Sequence, residues 1–95
     1  NRKNLVDAEQ AVREAQATVT GMVLAKNLAN MPANICNPEY LAKEAIKMSK
    51  QMSNVDTKVL HKKDLEDLKM GSFLSVAQGA AVEPKLIVFN YCGGP

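Results

Sequence analysis

Few side chains in this sequence are of a type that does chemistry, and their spacing keeps them apart. His61 is the only histidine. It stands between Leu60 and Lys62-Lys63, where an alternating segment gives way to a helical one. A lone imidazole at such a junction reads as a turn or capping residue rather than a base or a metal ligand. Cys36 and Cys92 have no CxxC spacing and no histidine nearby. A structural zinc takes about four ligands, and Cys36, Cys92 and His61 do not assemble such a set. Two cysteines could close one disulfide, but no signal-peptide hydrophobic region is seen. Free, buried thiols in a reducing compartment are therefore expected.

The remaining polar groups give no stronger constellation. Asp64, Glu66 and Asp67 crowd together beside Lys62, Lys63 and Lys69, which describes a solvated face with local ion pairs. Asp7, Glu9, Glu14, Glu39 and Glu44 fall on the expected wet faces of helices. Ser72 and Ser75 lack the G-x-S-x-G elbow and a base. Gly93-Gly94-Pro95 is not a phosphate loop, since no lysine or helix accompanies it. Met22, Met31, Met48, Met52 and Met70 read as flexible core filler. No catalytic, cofactor-binding or metal-binding residue is assigned on this reading.

Charge and hydropathy exclude other classes. Twelve basic against ten acidic side chains leave a net charge of only +2, too little to build a field for nucleic acid or a membrane. Lys43, Lys47 and Lys50 make a basic helix face, but Glu44 interrupts it and no aromatic platform accompanies it. No apolar run approaches the ~20 residues that span a bilayer. No nucleic-acid or membrane partner is expected, and the cytoplasm is the default location. Residue 1 is not Met, so upstream sequence is expected.

The elements that would position these groups are legible. Leu5, Ala8, Val12, Ala15, Val19 and Met22 alternate in steps of three and four, predicting one long helix from Asn4, its cap, to about Asn30. At 1.5 Å per residue it would run about 40 Å, enough to pass from one domain to another. Gly21 implies a close helix crossing or a slight bend, and Pro32 should end the helix. Asn37, Pro38 and Glu39 form a helix start, followed by an expected buried stripe of Leu41, Ala45, Met48 and Met52. Val55, Thr57 and Val59 alternate with Asp56 and Lys58 as a strand with one wet face. His61 to Lys69 predicts a short helix with Leu65 and Leu68 inward. Ser72 to Gln78 fits another short helix or a strand, with Ser72 as a cap and Gly79 as a stop favouring the helix. Lys85 to Tyr91 is the clearest strand, its continuous apolar run suggesting an interior place in a sheet. The class is α/β. Two strands rarely make a stable sheet alone, so a fragment of something larger is the expectation.

Two phrases carry a family resemblance: Asn27-Leu28-Ala29-Asn30-Met31-Pro32-Ala33-Asn34, and Met70-Gly71-Ser72-Phe73-Leu74-Ser75-Val76-Ala77-Gln78-Gly79. With Asn37-Pro38-Glu39-Tyr40-Leu41-Ala42 between them and the strand Leu86 to Tyr91 after them, the order and spacing resemble the leucyl aminopeptidases. The resemblance implies a fragment of an α/β/α catalytic domain preceded by a linker helix. Residues 1–30 would be that interdomain helix, and residues 31–95 the first part of the catalytic domain, truncated before its metal site. It implies hydrolysis of N-terminal residues from peptides by two divalent ions, Zn or Mn. It also implies a homo-hexamer. The family's Gly-Lys-Gly and Phe-Asp-Ser-Gly-Gly phrases, which carry metal ligands and catalytic groups, do not occur here. The segment itself is therefore expected to be inactive scaffold with no ion bound, its Met70 to Gly79 stretch serving as buried support. The alternative is a freestanding, non-enzymatic helical interaction module pairing through Leu5, Val12 and Val19.

Overall fold

The structure, a computed structural model, describes the backbone of residues 2–94 and the side chains of residues 5–94. The chain forms two compact units, one up to Pro32 and the other from Ala33 onward.

The first unit is a single helix, α1 (Arg2–Asn30), of 29 residues. It begins upstream of Asn4, whose side chain, expected as the cap, lies outside the described residues. Its end is where Pro32 requires it, the last turn closing with Met31 N–H on the Asn27 carbonyl at 3.1 Å. The apolar seam is present as a line but lies open. Leu5, Val12, Val19 and Met22 are all more than half exposed. Among the described side chains of α1, only Leu24 and Leu28 are half-buried. Among the described residues nothing lies within 4 Å of the place a Cβ on Gly21 would occupy, so of the two readings, a close crossing or a slight bend, the crossing is not formed.

The second unit runs α2 (Pro38–Gln51), β1 (Val55–Leu60), α3 (Lys62–Asp67), α4 (Gly71–Val76) and β2 (Leu86–Tyr91). Asn37 caps α2 as its type predicts, its Oδ1 accepting from Tyr40 N–H at 2.9 Å, with Pro38 in the first turn. The two strands pair antiparallel, from Val55 opposite Tyr91 to Leu60 opposite Leu86. Helix α2 packs on both strands, α3 packs on β1, and α4 packs on α3.

The core is small and its identity differs in part from the sequence reading. The buried face of α2 is Ala42 and Ala45, whereas Leu41 and Met52 are exposed and Met48 is half-buried. A helix seated close to a two-stranded sheet needs its smallest residues at the contact, and the larger apolar side chains splay to the edges. In α3, Leu65 is fully buried but Leu68 is 59% exposed. In α4 no side chain is fully buried; Phe73 and Leu74 are half-buried and Val76 points to solvent. That helix starts at Gly71, with Met70 rather than Ser72 in the cap position. Strand β2 has one strand neighbour among the described residues, and Val88, Phe89 and Tyr91 are exposed rather than interior.

The exposure of Leu68 follows from how α3 stops. Lys69 N–H donates to the Glu66 carbonyl at 2.9 Å and Met70 N–H to the Leu65 carbonyl at 3.0 Å, a left-handed helix cap. The residue that makes the reversal is Lys69, with φ of 56°. The chain turns back one residue after Leu68, which is left exposed while Met70 is half-buried. A lysine in this conformation crowds its own Cβ against the backbone, which glycine avoids. Lys69→Gly is expected to stabilise the protein by about 0.5–1 kcal/mol, and Lys69→Ala to give nothing comparable. Denaturant melts of both variants check the difference.

Candidate functional site

The second unit brings one set of ionisable side chains together from separate elements. Lys85, immediately before β2, places its Nζ 2.9 Å from Glu39 Oε2 and 2.9 Å from His61 Nδ1. Glu39 belongs to the first turn of α2, and its Oε1 also lies 3.6 Å from Lys43 Nζ. His61 is the N-cap of α3, as its position suggested; its backbone N–H donates to Asp64 Oδ2 at 2.8 Å. The Lys85 side chain is only 7% exposed, while that of Glu39 is 48% exposed. A nearly buried ammonium thus reaches outward to two surface partners.

This cluster was missed by the sequence reading. Glu39 was placed on a wet helix face, which is half true, and Lys85 entered only as the first residue of a strand. The pairing spans a wide sequence separation and leaves no local pattern. The one available signal was Lys85 itself, a charge next to the apolar run Leu86-Ile87-Val88-Phe89.

The cluster ties together residues from separate elements. The Glu39 carboxyl is held below its ordinary value of 4.5, first by the hydrogen bond from Lys85, next by that ammonium's charge, with Lys43 adding to it and partial burial opposing it. The native carboxyl therefore releases its proton more readily than the unfolded one. Its contribution to stability is complete above pH 4.5 and is lost as the pH falls through the lower native value. Glu39→Gln should flatten the dependence of stability on pH below that point. Thermal melts across the acid range check this.

The other candidates stay dispersed. Among the described residues no group of three or more His, Cys, Asp or Glu side chains could hold a metal ion. Both thiols are free, but neither is buried as expected: Cys36 is half-buried and Cys92 exposed. Asp64 is used by the His61 backbone, and Glu66 lies 3.9 Å from Lys62 on the exposed face of α3. Ser75 Oγ donates to the Ser72 carbonyl within α4. An open hollow of about 440 Å³ lies beside Phe73, Val76, Val82 and Pro84. No helix among the described residues is long and apolar enough to cross a membrane.

Helices packed on a small two-stranded sheet and tied by one ion cluster make this an α/β fragment. Residues 23–95 match the family model for the cytosol aminopeptidase family, catalytic domain. A probable cytosol aminopeptidase of Pseudomonas syringae pv. tomato is 47% identical over 94 residues, covering 99% of this chain and 19% of that protein. One from Pseudomonas syringae pv. syringae is 52% identical over 88 residues, covering 93% and 18%. The cytosol aminopeptidase of Pseudomonas aeruginosa is 45% identical over 85 residues, covering 90% and 17%. The chain belongs to the cytosol aminopeptidase family. It spans about a fifth of the length of these curated relatives.

Proposed function

We propose that the whole protein is a metal-dependent aminopeptidase that removes N-terminal residues, leucine among them, from peptides, and that this segment is its scaffold. The observation that carries the reading is the agreement with the family's catalytic domain from residue 23 to 95. Two divalent ions, Zn or Mn, would activate a water and polarise the scissile carbonyl. Nothing among the described residues fits such ions, so no step of the reaction is derived from them. The part of α2, α3 and the two strands is to hold a rigid base against which a reactive centre can be positioned. A cytoplasmic location and a homo-hexamer complete the proposal; the relatives, named as cytosol aminopeptidases, support the location.

The test uses the full-length protein. Supplied with Mn²⁺ or Zn²⁺, it should release the chromophore from a leucyl anilide, and a chelator should abolish turnover. The 95-residue segment alone should show neither turnover nor stoichiometric ion binding. An inactive full-length protein in the presence of both ions, or an active segment, overturns the reading.

A further inference from the structure

The contact between Lys85 and His61 works in only one protonation state. An ammonium has donors and no acceptor. At 2.9 Å from Nζ, the imidazole Nδ1 is placed to accept, a role open only to the tautomer that carries its proton on Nε2. A protonated ring would turn an N–H toward a cation that is itself shielded from water, with its side chain 7% exposed. Like charges at that distance repel, even with the imidazole itself exposed to solvent.

The surroundings do not relieve that conflict. From α3, Asp64 is engaged by the backbone N–H of His61 at 2.8 Å, and Lys62 lies 3.9 Å from Glu66. From α2, Glu39 faces Lys85 at 2.9 Å and Lys43 at 3.6 Å. Lys58 of β1 and Glu83 ahead of Lys85 are exposed. Two carboxylates are near, but each already has its partner.

The position of the three residues gives the conflict a structural consequence. Glu39 begins α2, His61 begins α3, and Lys85 precedes β2. One ammonium therefore ties together the starts of three elements. We propose that His61, Lys85 and Glu39 form an acid-released latch, closed by the neutral imidazole and opened when the ring takes up a proton, which frees the N-terminal turns of α2 and α3 from the start of β2. Of the three side-chain types, only imidazole ordinarily changes charge between about pH 5 and 8. Glu39 remains anionic across that range and keeps its half of the tie.

The experiment is hydrogen exchange on the full-length protein at about pH 8 and about pH 5.5, corrected for the intrinsic chemical rate. In the native protein, peptides covering Pro38–Gln51 and Lys62–Asp67 should exchange at least about threefold faster at the lower pH. His61→Asn keeps both an acceptor and a helix cap but does not titrate, and it should remove the acceleration. His61→Gln serves as a second non-titrating acceptor if the Asn cap alters α3. Equal protection of the native protein at the two pH values overturns the latch. So does the same acceleration in the native protein and in both variants.

Discussion

Leu65→Ala should lower the stability of the protein by about 3 kcal/mol, the largest effect of any single truncation in this segment. Leu65 is the one fully buried large side chain among the described residues. It sits in the middle of α3, a helix of six residues. A helix that short does not hold together by itself in water, so its place in the fold depends on packing. Its N–H donates to the His61 carbonyl at 3.1 Å, and its own carbonyl accepts the capping bond from Met70 at 3.0 Å. The side chain that fills the core is thus carried by the residue that anchors both ends of the helix. Removing it leaves a cavity beneath α3, and α4, which packs on α3, loses its support. Leu65→Met, which conserves volume, should cost less than about 1.5 kcal/mol. Denaturant unfolding at fixed protein concentration measures both. Equal, small losses would show that the site collapses around the change and that Leu65 is not the anchor.

The parts of this fold that were legible in the sequence are those with local causes. Asn37-Pro38 starts α2 because a side-chain oxygen and a fixed φ act on their own turn. Pro32 ends α1 for the same kind of reason. The alternation of Val55, Thr57 and Val59 with Asp56 and Lys58 is the pleat of β1, with the first three half-buried and the other two exposed. Family membership was legible too, because ordered phrases such as Asn27 to Asn34 do not depend on how the chain packs. The misreadings share a different origin. Size is a poor guide to burial in α2, which approaches the sheet on Ala42 and Ala45. Leu68 was placed inward by extending helical spacing across a left-handed turn that begins one residue later. The apolar run of β2 was read as interior, but a strand's second edge and face are covered only by segments remote in sequence. The Lys85, Glu39 and His61 cluster belongs to the same class: its three members meet only after α2 and both strands have docked.

Ala45→Leu is the complementary test, since it adds volume where Leu65→Ala removes it. Ala42 and Ala45 are 4% and 5% exposed and lie three residues apart on one face of α2. That face meets both strands. Its closeness is visible in the backbone: Thr57 Oγ1 of β1 donates to the Ala45 carbonyl at 3.4 Å, a strand side chain reaching a helix carbonyl. A leucine at position 45 cannot rotate out of that contact without leaving the helical rotamers. The helix must instead lift from the sheet, which lengthens the Thr57 contact and opens space around the neighbouring Ala42. Overpacking of this kind costs about 2 kcal/mol. Ala45→Gly distinguishes the steric account from simple sensitivity of the site. It should cost only about 1 kcal/mol, mostly backbone entropy in the helix, because so little volume is lost. If the leucine variant proves as stable as the parent in denaturant melts, α2 does not rest on the sheet through its alanines, and the packing of the second unit must be redrawn.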